Sequence, residues 1–212
     1  MRKPIRIDFV SDVSCPWCVI GLKALEQALQ RVADIADAQV HFQPFELNPD
    51  MAPAGQEIGE HLAQKYGASA EQRAQTSEMI RARGAELGFH FGQRARIYNT
   101  FDAHRLLHWA EEQGLQHALK MALFDAYFSA GDNVAAHAVL LRVATGVGLD
   151  GAEAARILAG DPYAAEVRER EQFYQRQGIR SVPAIIINER HLISGGQPPE
   201  VFEQALRQIL SQ

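Results

Sequence analysis

Apolar residues alternate with polar ones through Ile5, Ile7 and Phe9, then recur every three to four positions through Ile20, Leu22, Leu25 and Leu29. This change of period predicts a buried strand over Ile5 to Val10, a loop over Ser11-Asp12-Val13-Ser14, and an amphipathic helix that Cys15 opens. Ser14 is the expected N-cap, and Pro16 falls in the first turn, where its missing N–H costs nothing. Alternation returns over Gln39 to Phe45, with Val40 and Phe42 on one face, so the chain begins as β-α-β.

The character changes beyond Leu47. Asn48-Pro49-Asp50-Met51-Ala52-Pro53-Ala54-Gly55 is rich in breakers, and beyond it the pattern is helical for about a hundred residues. Ser69-Ala70-Glu71-Gln72 has the capping-box pattern and starts a segment running through Met79 and Ile80 toward Leu87. Periodic apolar positions between Gly-containing turns then predict helices over Phe101 to Gln113, Gln116 to Ser129, Val134 to Val147 and Ala152 to Leu158. Asp161-Pro162 offers an N-cap and first helical position for Tyr163 to Gln177, which stops before Gly178. Strand patterning returns at Val182 to Asn188, turns at Glu189-Arg190, and resumes over His191 to Ser194. Gly195-Gly196 breaks this hairpin, and Pro198-Pro199-Glu200 starts a last helix carrying Val201, Phe202, Leu206, Ile209 and Leu210. Pro183, at the mouth of an apolar strand, cannot donate a ladder hydrogen bond and so marks a strand start or bulge. The predicted class is α/β, with residues 1–50 and 162–212 forming a β-α-β and β-β-α unit around an all-helical insertion at 51–161.

At 212 residues and 47% hydrophobic content the chain can bury a large core without a staple. A net charge of −5 leaves no basic footprint for nucleic acid or an anionic membrane. Met1-Arg2-Lys3-Pro4 runs directly into a charged, alternating strand with no apolar signal-peptide core, and no window approaches the length of a membrane span. A cytoplasmic protein is expected, and in a reducing compartment a close cysteine pair points to catalysis or redox sensing.

The only two cysteines lie in Cys15-Pro16-Trp17-Cys18, where strand gives way to helix. A helix N-terminus carries unpaired N–H donors and partial positive charge, which favour the thiolate, the form that attacks disulfides. Cys15 is therefore the candidate nucleophile. Cys18, nearly one turn further in and turned toward the protein, is the candidate resolving thiol. A structural disulfide across two intervening residues would close a very small loop and remove little chain entropy. A structural zinc site commonly draws on a second Cys or His pair, and there is no second Cys pair. Of the eight histidines, His104 and His108 are one turn apart and could share a metal, but packing and surface roles suit them better; no metal is expected. Asp12 could move protons to or from Cys18, or cap the loop; capping is favoured, since Asp in such loops commonly accepts backbone N–H bonds. C-x-x-C beside a β-to-α transition is the thioredoxin-type redox signal, so the fold expected is thioredoxin-like.

Further motifs carry a resemblance across essentially the whole chain: Pro44-Phe45-Glu46-Leu47-Asn48-Pro49, Asn99-Thr100-Phe101-Asp102-Ala103-His104-Arg105-Leu106, Ser181-Val182-Pro183 and Ser194-Gly195-Gly196-Gln197-Pro198. With C-P-W-C, they resemble DsbA-family thiol-disulfide oxidoreductases, specifically the FrnE-like branch related to 2-hydroxychromene-2-carboxylate isomerases and kappa-class glutathione transferases. The resemblance implies dithiol-disulfide exchange on protein or small-molecule thiols and disulfides. It also implies a cis Pro183 facing Cys15 and Val182 backbone groups offered to an extended substrate, with Ser14, Pro16, Trp17 and Asp12 supporting the cysteines. Trp17 stands where periplasmic DsbA proteins usually have His. No cofactor is expected beyond the cysteine pair, with glutathione as a potential co-substrate. The alternative that the same branch implies is a glutathione-dependent isomerase or transferase, whose members usually have serine at the active position.

Overall fold

In the computed structural model, which describes residues 2–211, the central strand β1 (Lys3–Ser11) buries Ile5, Ile7, Phe9 and Val10. It pairs in parallel with β2 (Ala36–Pro44) after the crossover helix α1 (Pro16–Arg31). On its other side β1 pairs antiparallel with β5 (Ala184–Ile187), which forms a hairpin with β6 (His191–Ser194), giving the sheet order β2-β1-β5-β6. The last helix, α9 (Pro199–Leu210), packs beside α1 and buries Phe202, Leu206 and Leu210. β1 contributes to two apolar clusters, with Ile5, Ile7 and Phe9 in the main core and Val10 in a second one beside Phe45, Tyr174 and Ile179. Its one buried carboxylate, Asp8, is satisfied by Arg6 at 2.8 Å and by the Gln43 side-chain amide at 2.7 Å.

Between β2 and β5 the chain forms α2 (Ile58–Tyr66), α3 (Ala70–Glu86), α4 (Phe101–Glu112), α5 (Gln116–Phe124), α6 (His137–Gly146), α7 (Gly151–Ala159) and α8 (Ala164–Arg176). This region departs from the expected all-helical insertion. Gln56–Glu57 (β3) pairs with Arg96–Ile97 (β4) in a short antiparallel ribbon that closes the α2–α3 excursion at its base. The predicted 116–129 helix is α5 followed by a π-helical turn over Asp125–Ser129. Asp161 is not the N-cap of α8, as its sequence suggests. That position belongs to Tyr163, in a left-handed conformation with φ of 63°. Arg105 ties the preceding loop down by donating to the Pro162 carbonyl at 2.9 Å, and the Tyr163 hydroxyl donates to Glu112 at 2.9 Å, so tertiary contacts override the local signal. The β5–β6 turn begins one residue earlier than expected, with Asn188 and Glu189 both at positive φ and the Arg190 N–H closing on Ile187 at 3.1 Å.

No helix among the described residues is long and apolar enough to cross a membrane.

Candidate active site

The first turn of α1 places the two cysteines, but its cap differs from the expected one. Cys15 itself is the N-cap, in extended conformation (φ −93°, ψ 114°), Pro16 is the first helical residue, and no side chain caps the end. Ser14 is drawn the other way. Its hydroxyl donates to Asp12 Oδ2 at 2.9 Å and its N–H to Asp12 Oδ1 at 3.1 Å. The buried Asp12 carboxylate also accepts the Leu47 N–H at 2.7 Å, which ties the β1–α1 loop to the chain leaving β2. Burial opposes the Asp12 charge, yet the His104 ring 3.6 Å away, the Leu47 N–H and Thr100 outweigh it and bring the carboxyl down to about 2.

Both cysteines are free thiols. Cys15 keeps 4% of its surface exposed and Cys18 none, so an incoming sulfur can meet only Cys15. Burial pushes the Cys18 thiol well up, and the hydrogen bond and charge of Cys15 push it further, while Lys120 works in the opposite direction. Behind the pair lies the buried Pro183, joined to the half-buried Val182 by a cis peptide bond, and the Cys15 thiol points to the Val182 carbonyl at 3.7 Å. Two glycines permit this close packing. A Cβ on Gly21 would meet Pro183 Cγ at 3.0 Å, and one on Gly196 would meet the Trp17 carbonyl at 3.0 Å. The Gly195 N–H bonds the Pro183 carbonyl at 2.8 Å, so the Gly195-Gly196 break locks the two loops that flank the helix end.

The rim comes from α2 and α3. Half-buried Trp17 lies under the Arg83 guanidinium, 5.5 Å from its ring centroid, and exposed Tyr66 has its hydroxyl pushed up by burial and then by the charge of Cys15. Beneath the pair, His104 is buried beside Asp12, whereas His108 is half-buried against Tyr163, ring centroids 5.2 Å apart. Lys120, Gly21, Gly196, Tyr66 and Arg83 were not among the candidates from sequence. Lys120 had a signal: it interrupts the apolar run Ala118-Leu119-Lys120-Met121-Ala122-Leu123-Phe124 on the buried side of a helix. The arrangement provides one accessible sulfur at a helix terminus, one enclosed sulfur in contact with it, and a backbone carbonyl beside the first.

A model of the DSBA-like thioredoxin domain family matches residues 6–207. The uncharacterized protein YwbO of Bacillus subtilis (strain 168) is 28% identical over 203 residues, 95% of this chain and 96% of that protein. The crystal structure of a probable DsbA oxidoreductase, SCO1869 from Streptomyces coelicolor, matches with a TM-score of 0.93 at 35% identity, covering 98% of this chain and 91% of that one. Cytosolic disulfide reductase DsbM from Pseudomonas aeruginosa with GSH matches with a TM-score of 0.66 at 20% identity, covering 98% and 100%. At that identity the last likeness speaks for the fold.

Proposed function

The chain belongs to the DSBA-like thioredoxin domain family and is a thiol-disulfide oxidoreductase, and we propose that it works by dithiol-disulfide exchange through Cys15 and Cys18. The observation that carries this reading is the unequal exposure of two touching thiols at the start of α1. Cys15 thiolate attacks a substrate disulfide, forming Cys15–S–S–R and releasing the other substrate thiolate. Cys18 then attacks Cys15 Sγ, the bond to R breaks, and the electron pair leaves with R as its thiolate. The substrate gains two electrons and the protein is left with a Cys15–Cys18 disulfide; the reverse sequence oxidises a dithiol.

In this reading the Val182 carbonyl and the Pro183 ring form the bed for an extended substrate beside Cys15, and Trp17, Tyr66 and Arg83 form its other wall. Ser14 and Asp12 hold the loop that carries the nucleophile, and Pro16 starts the helix without needing an N–H partner. Glutathione is the small thiol this reading favours as co-substrate, supported by the glutathione-bound structure of the cytosolic reductase of the same fold. The cytoplasm is the corresponding compartment.

Non-reducing gels after mixing with oxidised glutathione test the assignment. Cys15→Ser should form no mixed disulfide, while Cys18→Ser should accumulate one. Equal turnover in both variants, or a glutathione isomerase or transferase activity that survives Cys15→Ser, would overturn it.

A further inference from the structure

The cationic side chains around the cysteine site are used in different ways. Lys65, at the end of α2, donates to the Leu47 carbonyl at 2.6 Å and to Asn48 Oδ1 at 2.7 Å, bracing the same turn whose Leu47 N–H bonds Asp12. Arg180, just before Ser181-Val182-Pro183, turns back to the Gln175 carbonyl at 2.7 Å. Both are committed within the fold. Arg83 is not: among the described residues no carboxylate lies within 4.0 Å of its guanidinium, and no oxygen accepts its N–H groups. Glu78, on the same helix, lies 3.9 Å from Arg81 instead.

An exposed arginine with no partner is ordinarily free to sweep through many rotamers, but this one is placed by the Trp17 ring, whose centroid is 5.5 Å from the guanidinium carbon. The ring is itself held. Trp17 is half-buried between the two cysteines, and its carbonyl sits where a Cβ on Gly196 would approach to 3.0 Å. Cation–π attraction leaves the N–H donors of Arg83 without an oxygen partner, and a planar guanidinium in that condition receives a carboxylate through two parallel bonds. In a chain of net charge −5, this is an uncommitted positive group beside the one accessible sulfur.

We infer that Arg83 sets substrate preference by binding a carboxylate carried on or next to the cysteine that reacts with Cys15, so that the preferred class is a small anionic disulfide such as oxidised glutathione. The inference deepens the exchange reading above and rests on it. Arg83 makes and breaks no covalent bond. Cys15 thiolate attacks one sulfur of the disulfide, the other half leaves as its thiolate, and the half retained on Cys15 keeps its carboxylate against the guanidinium. Trp17 then acts as a positioning residue, since its ring fixes the donors that the substrate meets. An uncharged disulfide reaches the same sulfur without that anchor.

The test uses the full chain carrying Cys18→Ser, in which the mixed disulfide persists, and compares oxidised glutathione with its amidated form, in which every carboxylate is a carboxamide. Formation of the mixed disulfide at pH 7 is followed by acid quench and mass spectrometry. The ratio of the two rates is then compared between proteins, so the intrinsic reactivities of the two disulfides cancel. Arg83→Gln should lower the preference for the charged disulfide about fivefold, the scale of an exposed ion pair. With Arg83 in place, about 0.5 M salt should shrink the same preference, a comparison that needs no substitution at this position. A ratio unchanged by Arg83→Gln, including an equal loss with both disulfides, would overturn the inference, as would a preference indifferent to salt. Failure to form a mixed disulfide with either probe would instead remove the exchange reading on which it stands.

Discussion

Two helix N-termini in this chain are built in opposite ways. At α3, Ser69 Oγ accepts the Gln72 N–H at 3.2 Å and Gln72 Oε1 accepts the Ser69 N–H at 2.9 Å, a complete capping box, yet Gly84 is the helix's only buried residue. At α1 no side chain caps the end, yet the helix buries Cys18, Val19, Ile20, Gly21, Leu22, Ala24, Leu25 and Ala28. Local hydrogen bonds hold the first and tertiary packing the second. A helix secured by its buried face can leave its N-terminus without a side-chain cap, and α1 does so at the residue that the exchange reading makes the nucleophile.

The largest expected effect tests that reading of α1. Cys15→Ser should abolish exchange and, in the same molecule, raise stability by about 1 kcal/mol, because serine is a good N-cap in this extended conformation and cysteine is not. Thermal melts of the variant against the unmutated dithiol protein check this. A lower melting temperature would mean that the helix end already makes all the contacts it can use.

The ground beneath α1 carries two charged side chains of opposite effect on stability. Lys120 has a folded-state pKa of about 8 against an ordinary 10.5, so the folded state binds fewer protons between those values and stability should rise as pH climbs through that window. Lys120→Met should therefore add about 3 kcal/mol at pH 7 and flatten that rise. Asp12 lies on the other side of the balance. Its carboxyl, lowered to about 2 from an ordinary 3.8, contributes stability above pH 4 that is lost as pH falls through 2. Asp12→Asn should cost about 2 kcal/mol at neutral pH and remove that acid-side loss, measured by urea denaturation across pH. If Lys120→Met destabilised the protein, the lysine would have a partner in the fold, and the contrast between the two groups would disappear.

These two residues also mark where sequence stops being informative. Elements whose apolar positions face one core were legible to within a residue or two: the pattern places α4 over 101–113 and it spans Phe101–Glu112, and the α9 positions Phe202, Leu206 and Leu210 are buried as their spacing indicates. The α2 helix and the β3–β4 ribbon were not legible. Among the residues of α2 only His61 is buried, and a ribbon of two residues a strand leaves no period to read. The C-P-W-C pair announced itself through composition and position. Lys120 left only the fainter signal of a break in an apolar run, because one lysine there reads as a surface position until the fold encloses it. Gly21 and Gly196 required knowledge of which loops meet the helix, since their role is the 3.0 Å approach of another segment.

The smallest expected effect comes from α3 and completes the contrast. Ser69→Ala removes one half of the capping box and leaves the Gln72 N–H to solvent, a loss of about 1 kcal/mol. That loss should remain local. Near its far end α3 is held where a Cβ on Gly84 would overlap the Phe91 ring at 2.4 Å and where Arg83 covers Trp17, so fraying at Ala70 to Arg73 need not disturb the rim of the cysteine site. Hydrogen exchange should therefore accelerate about fivefold at the Gln72 and Arg73 amides, the factor that 1 kcal/mol represents, while the global melt stays unchanged. The rate at which Cys15 reacts with oxidised glutathione should not change either. A fall in melting temperature matching the local loss would show that the capped end unfolds only with the core, and α3 would then be held by tertiary packing as α1 is.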